Sequence, residues 1–239
     1  MGASWQTVSA PLMTSLKSFL FGRVRRWQAI RIYRRFQEFT MIPLDGFLDN
    51  LSLARGAQST PGCVVECGVW RGGMIAGLAV QLGSKRRYYL FDSFEGLPPA
   101  KPVDGAAALE WQGRVDAVDF HDNCKAPQEF AQRAMQLAGA RRFELVGGWF
   151  HETLPTFTLP EPIALLRLDA DWYDSTMVCL ENLFDRVAPG GLVVLDDYFA
   201  WDGCSRALHD FLSRRSAAEK IRSLGETCYL VKLPSTGID

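Results

Sequence analysis

The chain has 239 residues, 48% of them hydrophobic and 22% charged, an ordinary globular composition that excludes a disordered or fibrous protein. That length suits one α/β domain, or one domain with a terminal extension, and it lets about three-quarters of the surface be buried without a structural metal or disulfide. Lys and Arg number 26 against 27 Asp and Glu, so no bulk positive charge drives binding to nucleic acid.

The charge is unevenly placed. Residues 1–36 hold Lys17, Arg23, Arg25, Arg26, Arg31, Arg34 and Arg35 and no acid, which leaves 19 bases against 27 acids in the remainder. Residues 1–40 therefore read as a basic, aromatic-rich arm ahead of a domain over 41–239. Trp27, Ile30 and Tyr33 recur three apart, the spacing of an amphipathic helix. Three uses of the arm are open: packing on the body or on a partner subunit, weak contact with a membrane surface, or a mobile cover over an active site. Lys17 interrupts the early apolar stretch and the arginines follow it, which does not read as a signal peptide. No apolar run reaches the ~20 residues of a membrane span.

A short helix is expected over residues 45–55, ended by Gly56, with a loop over 58–62. From Cys63 the pattern alternates. Strands are expected at 63–66, 87–92, 143–146, 163–169 and 191–196, with helices at 74–82, 126–137, 175–187 and 204–215 between and after them. The tail offers strands at 221–224 and 227–233, joined by Gly225-Glu226, which suits an antiparallel hairpin at the sheet edge. Near-continuous apolar strands separated by helices mean a parallel sheet covered on both faces. The expectation is a doubly wound α/β fold with a mostly parallel, seven-stranded sheet. The six cysteines form no CxxC pair and have no His partner at zinc spacing; they read as small hydrophobes of a reduced, cytoplasmic chain.

In such a sheet ligands bind beyond the carboxyl ends of the strands. Those ends carry Glu66, Asp92, Gly147-Gly148, Asp169 and Asp196-Asp197. A lone strand-end Asp often only caps the next helix, but four acidic ends facing one crevice repel one another by several kcal/mol at an intermediate dielectric, so a cation is expected among them. The turn Glu66-Cys67-Gly68-Val69-Trp70-Arg71-Gly72-Gly73 lets a ligand approach the backbone. It is not GxGxxG, and its acid suits the ammonium and sulfonium of S-adenosylmethionine better than a pyrophosphate. Asp92 is then placed for the ribose hydroxyls. Asp169, Asp196 and Asp197 offer three hard oxygens without His or Cys, a set for Mg²⁺ or, alternatively, Mn²⁺ or Ca²⁺. Asp171 lies two residues on, as a general base or, alternatively, as a helix cap. His121, His151 and His209 share no catalytic spacing. Cys67 has no base near it in sequence, so burial in the strand is the simpler reading than a nucleophile.

Together these stretches resemble the Mg²⁺-dependent macrocin/mycinamicin-type sugar O-methyltransferases. The resemblance runs in order through Val65–Gly73, Phe91-Asp92-Ser93-Phe94-Glu95-Gly96-Leu97-Pro98-Pro99, Gly148-Trp149-Phe150-His151-Glu152-Thr153-Leu154-Pro155, Leu166-Arg167-Leu168-Asp169-Ala170-Asp171-Trp172-Tyr173-Asp174-Ser175-Thr176 and Pro189-Gly190-Gly191 through Tyr198. It implies a class I methyltransferase-like fold, with S-adenosylmethionine and Mg²⁺ as cofactors. It implies Asp169, Asp196 and Asp197 as metal ligands, Asp171 as base, and Glu66, Gly68 and Asp92 at the cofactor. Ser93, Trp149, Trp70, Gly72 and Gly148 join the cofactor side. The acceptor implied is a sugar or glycosylated small molecule whose vicinal hydroxyls chelate the metal, and self-association is implied too. Family members often add an acid from the N-terminal region; here Glu38 is the first candidate. Residues 98–123, where a lid would lie, match no family motif. The competing readings are a catechol-like or other small diol as acceptor, a nucleotide-binding dehydrogenase, and a cofactor-binding scaffold without catalysis.

Overall fold

The computed structural model describes residues 25–234 except 117 and 121; the first 24 residues of the arm and His121 lie outside it. Seven strands form one sheet in the order β3-β2-β1-β4-β5-β7-β6: β1 (Cys63–Cys67), β2 (Arg87–Asp92), β3 (Arg142–Gly147), β4 (Ile163–Leu168), β5 (Val187–Leu195), β6 (Arg222–Leu224) and β7 (Thr227–Val231). The first five are parallel, and β7 runs antiparallel to both β5 and β6. The doubly wound sheet with its antiparallel edge hairpin is thus present as the apolar runs predicted. β1 and β4 are buried at every position, which is why their sequences are almost continuously apolar instead of alternating.

Helices cover both faces: α1 (residues 25–36), α2 (Leu44–Gly56), α3 (Gly73–Leu82), α4 (Ala106–Gly113), α5 (Gln128–Ala138), α6 (Phe150–Thr153), α7 (Tyr173–Leu183) and α8 (Asp202–Arg214). One core lies under α1, α2, α3 and α5, the other under α7 and α8. The described part of the arm packs on the body. Phe36 is wholly buried, and Tyr33 meets Phe47 of α2 edge to face at 5.4 Å, a contact worth about 0.5–1.5 kcal/mol beyond area burial. Arg35 donates to the Leu137 carbonyl at the end of α5. Of the apolar stripe expected from Trp27, Ile30 and Tyr33, Ile30 and Tyr33 pack against the core beside the buried Ala29 and Phe36, whereas Trp27 is 58% exposed. Among the described residues no helix is long and apolar enough to cross a membrane.

Two boundaries differ from the sequence expectation. The helix expected to reach residue 187 stops at Leu183, because Phe184–Arg186 tightens into a 3₁₀ turn and Val187 already pairs with Ile163. The Pro189-Gly190-Gly191 turn then lies inside β5 as an irregularity, since the register jumps from Ile163↔Val187 to Leu165↔Leu192; Gly190, at φ +78°, supplies the backbone conformation this needs. Residues 98–123, where a lid is expected, contain α4.

Candidate active site

The carboxyl ends of β1, β4 and β5 adjoin in register, with Cys67 opposite Leu168 and Leu168 opposite Leu195. Asp169 and Asp196 follow at once, their amides donating to the carbonyls of Cys67 and Leu168 at 2.9 Å. A cavity of about 1040 Å³ opens there, at the top of the usual range for a single small ligand and so large enough for two reactants. Its wall includes Gly68, Trp70, Asp92, Ser93 and Trp149 on one side and Asp169, Asp171, Asp196 and Asp197 on the other.

The two sides touch through backbone. Gly68 has φ +83°, and a Cβ there would stand 1.7 Å from the Asp169 carbonyl oxygen, so only glycine allows the first turn to lie against the end of β4. Gly72, at φ +79°, similarly abuts Ala131 of α5. Neither Gly72 nor Gly148 is in the cavity wall. Asp92 organises the turn: one carboxylate oxygen accepts the amides of Val69 and Trp70, both at 2.8 Å, and the other that of Phe94 at 2.7 Å. Burial raises its pKa, against those three donors. Ser93 bonds the Gly96 carbonyl at 2.8 Å, which shapes the loop beneath the lid.

The acids fall into two groups. Arg167, 1% exposed in β4 and absent from the sequence reading of the site, lies between Glu66, Asp169 and Asp196. Its Nη1 donates to Glu66 at 2.6 Å and to Asp169 at 2.9 Å. Its Nη2 is 2.7 Å from Asp196 Oδ1, an ion-pair contact whose angle falls short of a hydrogen bond. The cation expected among the carboxylates is therefore in part the chain's own. Glu66 is wholly buried, and burial outweighs Arg167 in raising its pKa. Its Oε2 has no protein partner, and Glu66 borders a space of about 30 Å³ beside Thr40, Gly68 and Trp70, room for one water or a small donor.

The second group is Asp169, Asp171 and Asp197, which bring one carboxylate oxygen each within 4.8 Å of one another. Asp171 sits at φ +55°, and that backbone turn aims it at Asp197, whose Oδ2 accepts the Asp171 amide at 3.1 Å. The Trp201 indole N–H donates to Asp171 Oδ1 at 3.0 Å. Burial, then the neighbouring carboxylates, pushes Asp171 up to about 8 and Asp197 well above the carboxylate range. Burial pushes Asp169 to about 6, opposed first by Arg167. Of the predicted ligands, Asp169 and Asp197 come together with the predicted base, while Asp196 lines the cavity but turns one oxygen to Arg167. An all-oxygen trio short of positive charge is a donor set for a hard divalent cation.

The other candidates lie apart. Glu38 is exposed on a 3₁₀ turn and does not line the cavity. His151 is exposed at the cavity rim, and His209 bonds Tyr198 on the surface. Cys67 is buried, which raises its pKa and removes it from nucleophilic chemistry. The lid is held by its own polar side chains: Asp104 accepts the Tyr173 amide at the start of α7 (2.7 Å), and Gln112 donates to Pro98 and Asn123, both at 3.0 Å. Trp111 of α4 stands 6.3 Å from Trp172 and 6.0 Å from Trp201.

Residues 34–232 match the sequence model of macrocin-O-methyltransferase (TylF). The chain belongs to that family. It is 38% identical over 191 residues to an 8-demethyl-8-(2,3-dimethoxy-alpha-L-rhamnosyl)-tetracenomycin-C 4'-O-methyltransferase from Streptomyces olivaceus, covering 75% of this chain and 70% of that one. A mycinamicin III 3''-O-methyltransferase from Micromonospora griseorubida is 33% identical over 172 residues, or 69% and 65% of the two chains. The solved O-methyltransferase NovP superposes with TM-score 0.68 at 26% identity, covering 82% and 83%. As a macrocin-O-methyltransferase family member, this chain is an O-methyltransferase.

Proposed function

We propose that the protein transfers the methyl group of S-adenosylmethionine to a hydroxyl of a sugar or glycosylated small molecule with the help of Mg²⁺. The observation that carries this reading is the outer trio, Asp169, Asp171 and Asp197, gathered beside a cavity whose opposite wall is the Gly68 turn and Asp92. Gly68, Trp70, Asp92, Ser93 and Trp149 form the cofactor side, and the orphaned Glu66 oxygen fits a cationic donor reaching in from the cofactor's amino-acid end. Asp169, Asp196 and Asp197 would hold Mg²⁺, which supplies a Lewis acid for vicinal acceptor hydroxyls. Asp171 Oδ1 is occupied by Trp201, which leaves Oδ2 to take the acceptor's proton. Its raised pKa suits that exchange near neutral pH. The lid residues Pro98, Ala100 and Lys101 line the same cavity and would cover the acceptor.

A second assignment of the same trio follows from its geometry: Asp171 acts as a ligand and Asp196 as a fixed neighbour, since it is Asp171 whose oxygen lies within 4.8 Å of both Asp169 and Asp197. Mn²⁺ titration of Asp171→Asn and Asp196→Asn separates the two assignments, because only loss of a ligand weakens binding strongly. The reading as a whole is tested with labelled S-adenosylmethionine and a panel of glycosides with vicinal hydroxyls. Methyl transfer should stop with EDTA and return with Mg²⁺. Undiminished transfer by metal-free protein would remove the metal from the reading, and equal transfer to simple catechols would remove the sugar.

A further inference from the structure

We propose that Arg167 is a positioning residue of the reaction: with Asn50 it fixes the carboxylates of Asp169 and Asp196, and through them the oxygens presented to the metal. The inference rests on the metal reading above. Arg167 is the register partner of Glu66 across β1 and β4, so the sheet itself places the guanidinium. Its three nitrogens serve four residues on four elements. Nη1 reaches Glu66 and Asp169, Nη2 reaches Asp196, and Nε donates to Asn50 of α2 at 3.1 Å. Asn50 closes the arrangement, because its Nδ2 donates to the same Asp196 oxygen at 3.3 Å and to the Gly46 carbonyl at 3.0 Å.

A pairing that served stability alone would need only Glu66, which is as buried as Arg167. The side chains of Asp169 and Asp196 are 30% and 19% exposed and line the cavity. Arg167 therefore grips each from behind while its other side faces the reactants. Only a planar fork does this; the ammonium of a lysine carries the same charge but cannot direct rigid donors to several acceptors at once. Partners that orient metal ligands from behind typically change metal affinity 10–100-fold when removed.

The test uses the full-length chain without cofactor. Mn²⁺ is titrated and followed by electron paramagnetic resonance, with S-adenosylhomocysteine affinity by calorimetry and Tm measured alongside. Arg167→Lys and Asn50→Ala should each weaken Mn²⁺ binding about tenfold, raise the Mg²⁺ concentration for half-maximal rate by the same factor, and leave S-adenosylhomocysteine affinity within about twofold. Should Arg167→Lys not fold, Asn50→Ala, which keeps every charge in place, decides alone. A lowered Tm with Mn²⁺ affinity unmoved would make the network merely structural and overturn the inference. A parallel tenfold loss of S-adenosylhomocysteine affinity would do the same, by showing that the whole pocket had given way. Wild-type protein that binds no Mn²⁺ would overturn the metal reading and this inference together, whereas wild-type binding with unaffected variants would overturn only the inference.

Discussion

Two sets of carboxylates meet at Asp169 and are balanced in opposite ways. Behind the strand ends, Glu66, Asp196 and one oxygen of Asp169 share the guanidinium of Arg167. In front, Asp171 and Asp197 face Asp169 across the cavity wall; the Asp171 amide donates to Asp197 and the Trp201 indole to Asp171. The inner set brings its own counter-charge; the outer set has none among the described residues. Acidic strand ends alone are therefore a poor pointer to a metal. What points to one is the subset left uncompensated after the protein's own cations are counted.

The difference can be broken by substitution. The largest effect is expected from Asp197→Asn: a metal's Lewis-acid contribution of several kcal/mol corresponds to about 10⁴-fold in kcat, while S-adenosylhomocysteine still binds. Turnover within tenfold of the parent in a stopped assay with labelled cofactor would show that the outer set needs no cation. Asp171→Asn comes next, with a loss of about 10²–10⁴-fold, the usual contribution of general-base catalysis; a kcat left unchanged takes the base role from it. Trp201→Phe keeps the aromatic packing but removes the donor to Asp171. A hydrogen bond to a charged group is worth about 1.5–3 kcal/mol, so kcat should drop by about 10- to 150-fold, and Asp171→Asn/Trp201→Phe should be no worse than Asp171→Asn alone.

The smallest effect sharpens the comparison through pH. Asp171 is raised to about 8 and Asp169 to about 6, above the value near 4 of an unfolded aspartate. Their preference for the folded, metal-free chain is complete below about pH 4 and is lost as pH rises through those folded values. The Tm of the metal-free protein should therefore fall between about pH 5 and 8, by about 2–4 °C for each kcal/mol of that preference lost. Mg²⁺, which binds the ionised form, should flatten the slope. A metal-free Tm that climbs over this interval would mean the outer acids are already compensated.

Much of the molecule can be read before folding it. Sequence pattern located all seven strands, β2 at its observed limits; in β1 and β4 burial on both faces leaves little choice of residue, whereas the exposed β6 is placed by its hairpin turn. The acids at the strand ends followed from topology. Arg167 was passed over although its signal is plain in retrospect: a cation inside Ile163–Leu168, otherwise wholly apolar, must have buried partners, and acids end the neighbouring strands. Asn50, Asp104 and Trp201 gave no such sign. They act through tertiary bonds over long sequence separations (Asn50 to Asp196, Asp104 to Tyr173, Trp201 to Asp171), and local pattern carries no information about those. The α7 boundary was missed because nothing in Leu183–Val187 breaks a helix; pairing of Val187 with Ile163 ends it instead.

The contact of Gly68 with the Asp169 carbonyl has a consequence for distance control. Main chain rests on main chain at that point, and no side chain, whose rotamers could yield, intervenes. In the proposed reading, the spacing between the cofactor and acceptor sides of the cavity is therefore held by backbone, the stiffest part of the molecule. Methyl transfer is sensitive to misplacement of about 1 Å, which can cost 10²-fold. Adding even one methyl group at position 68 would push these two backbones apart, and no adjustment of the surrounding side chains could relieve it.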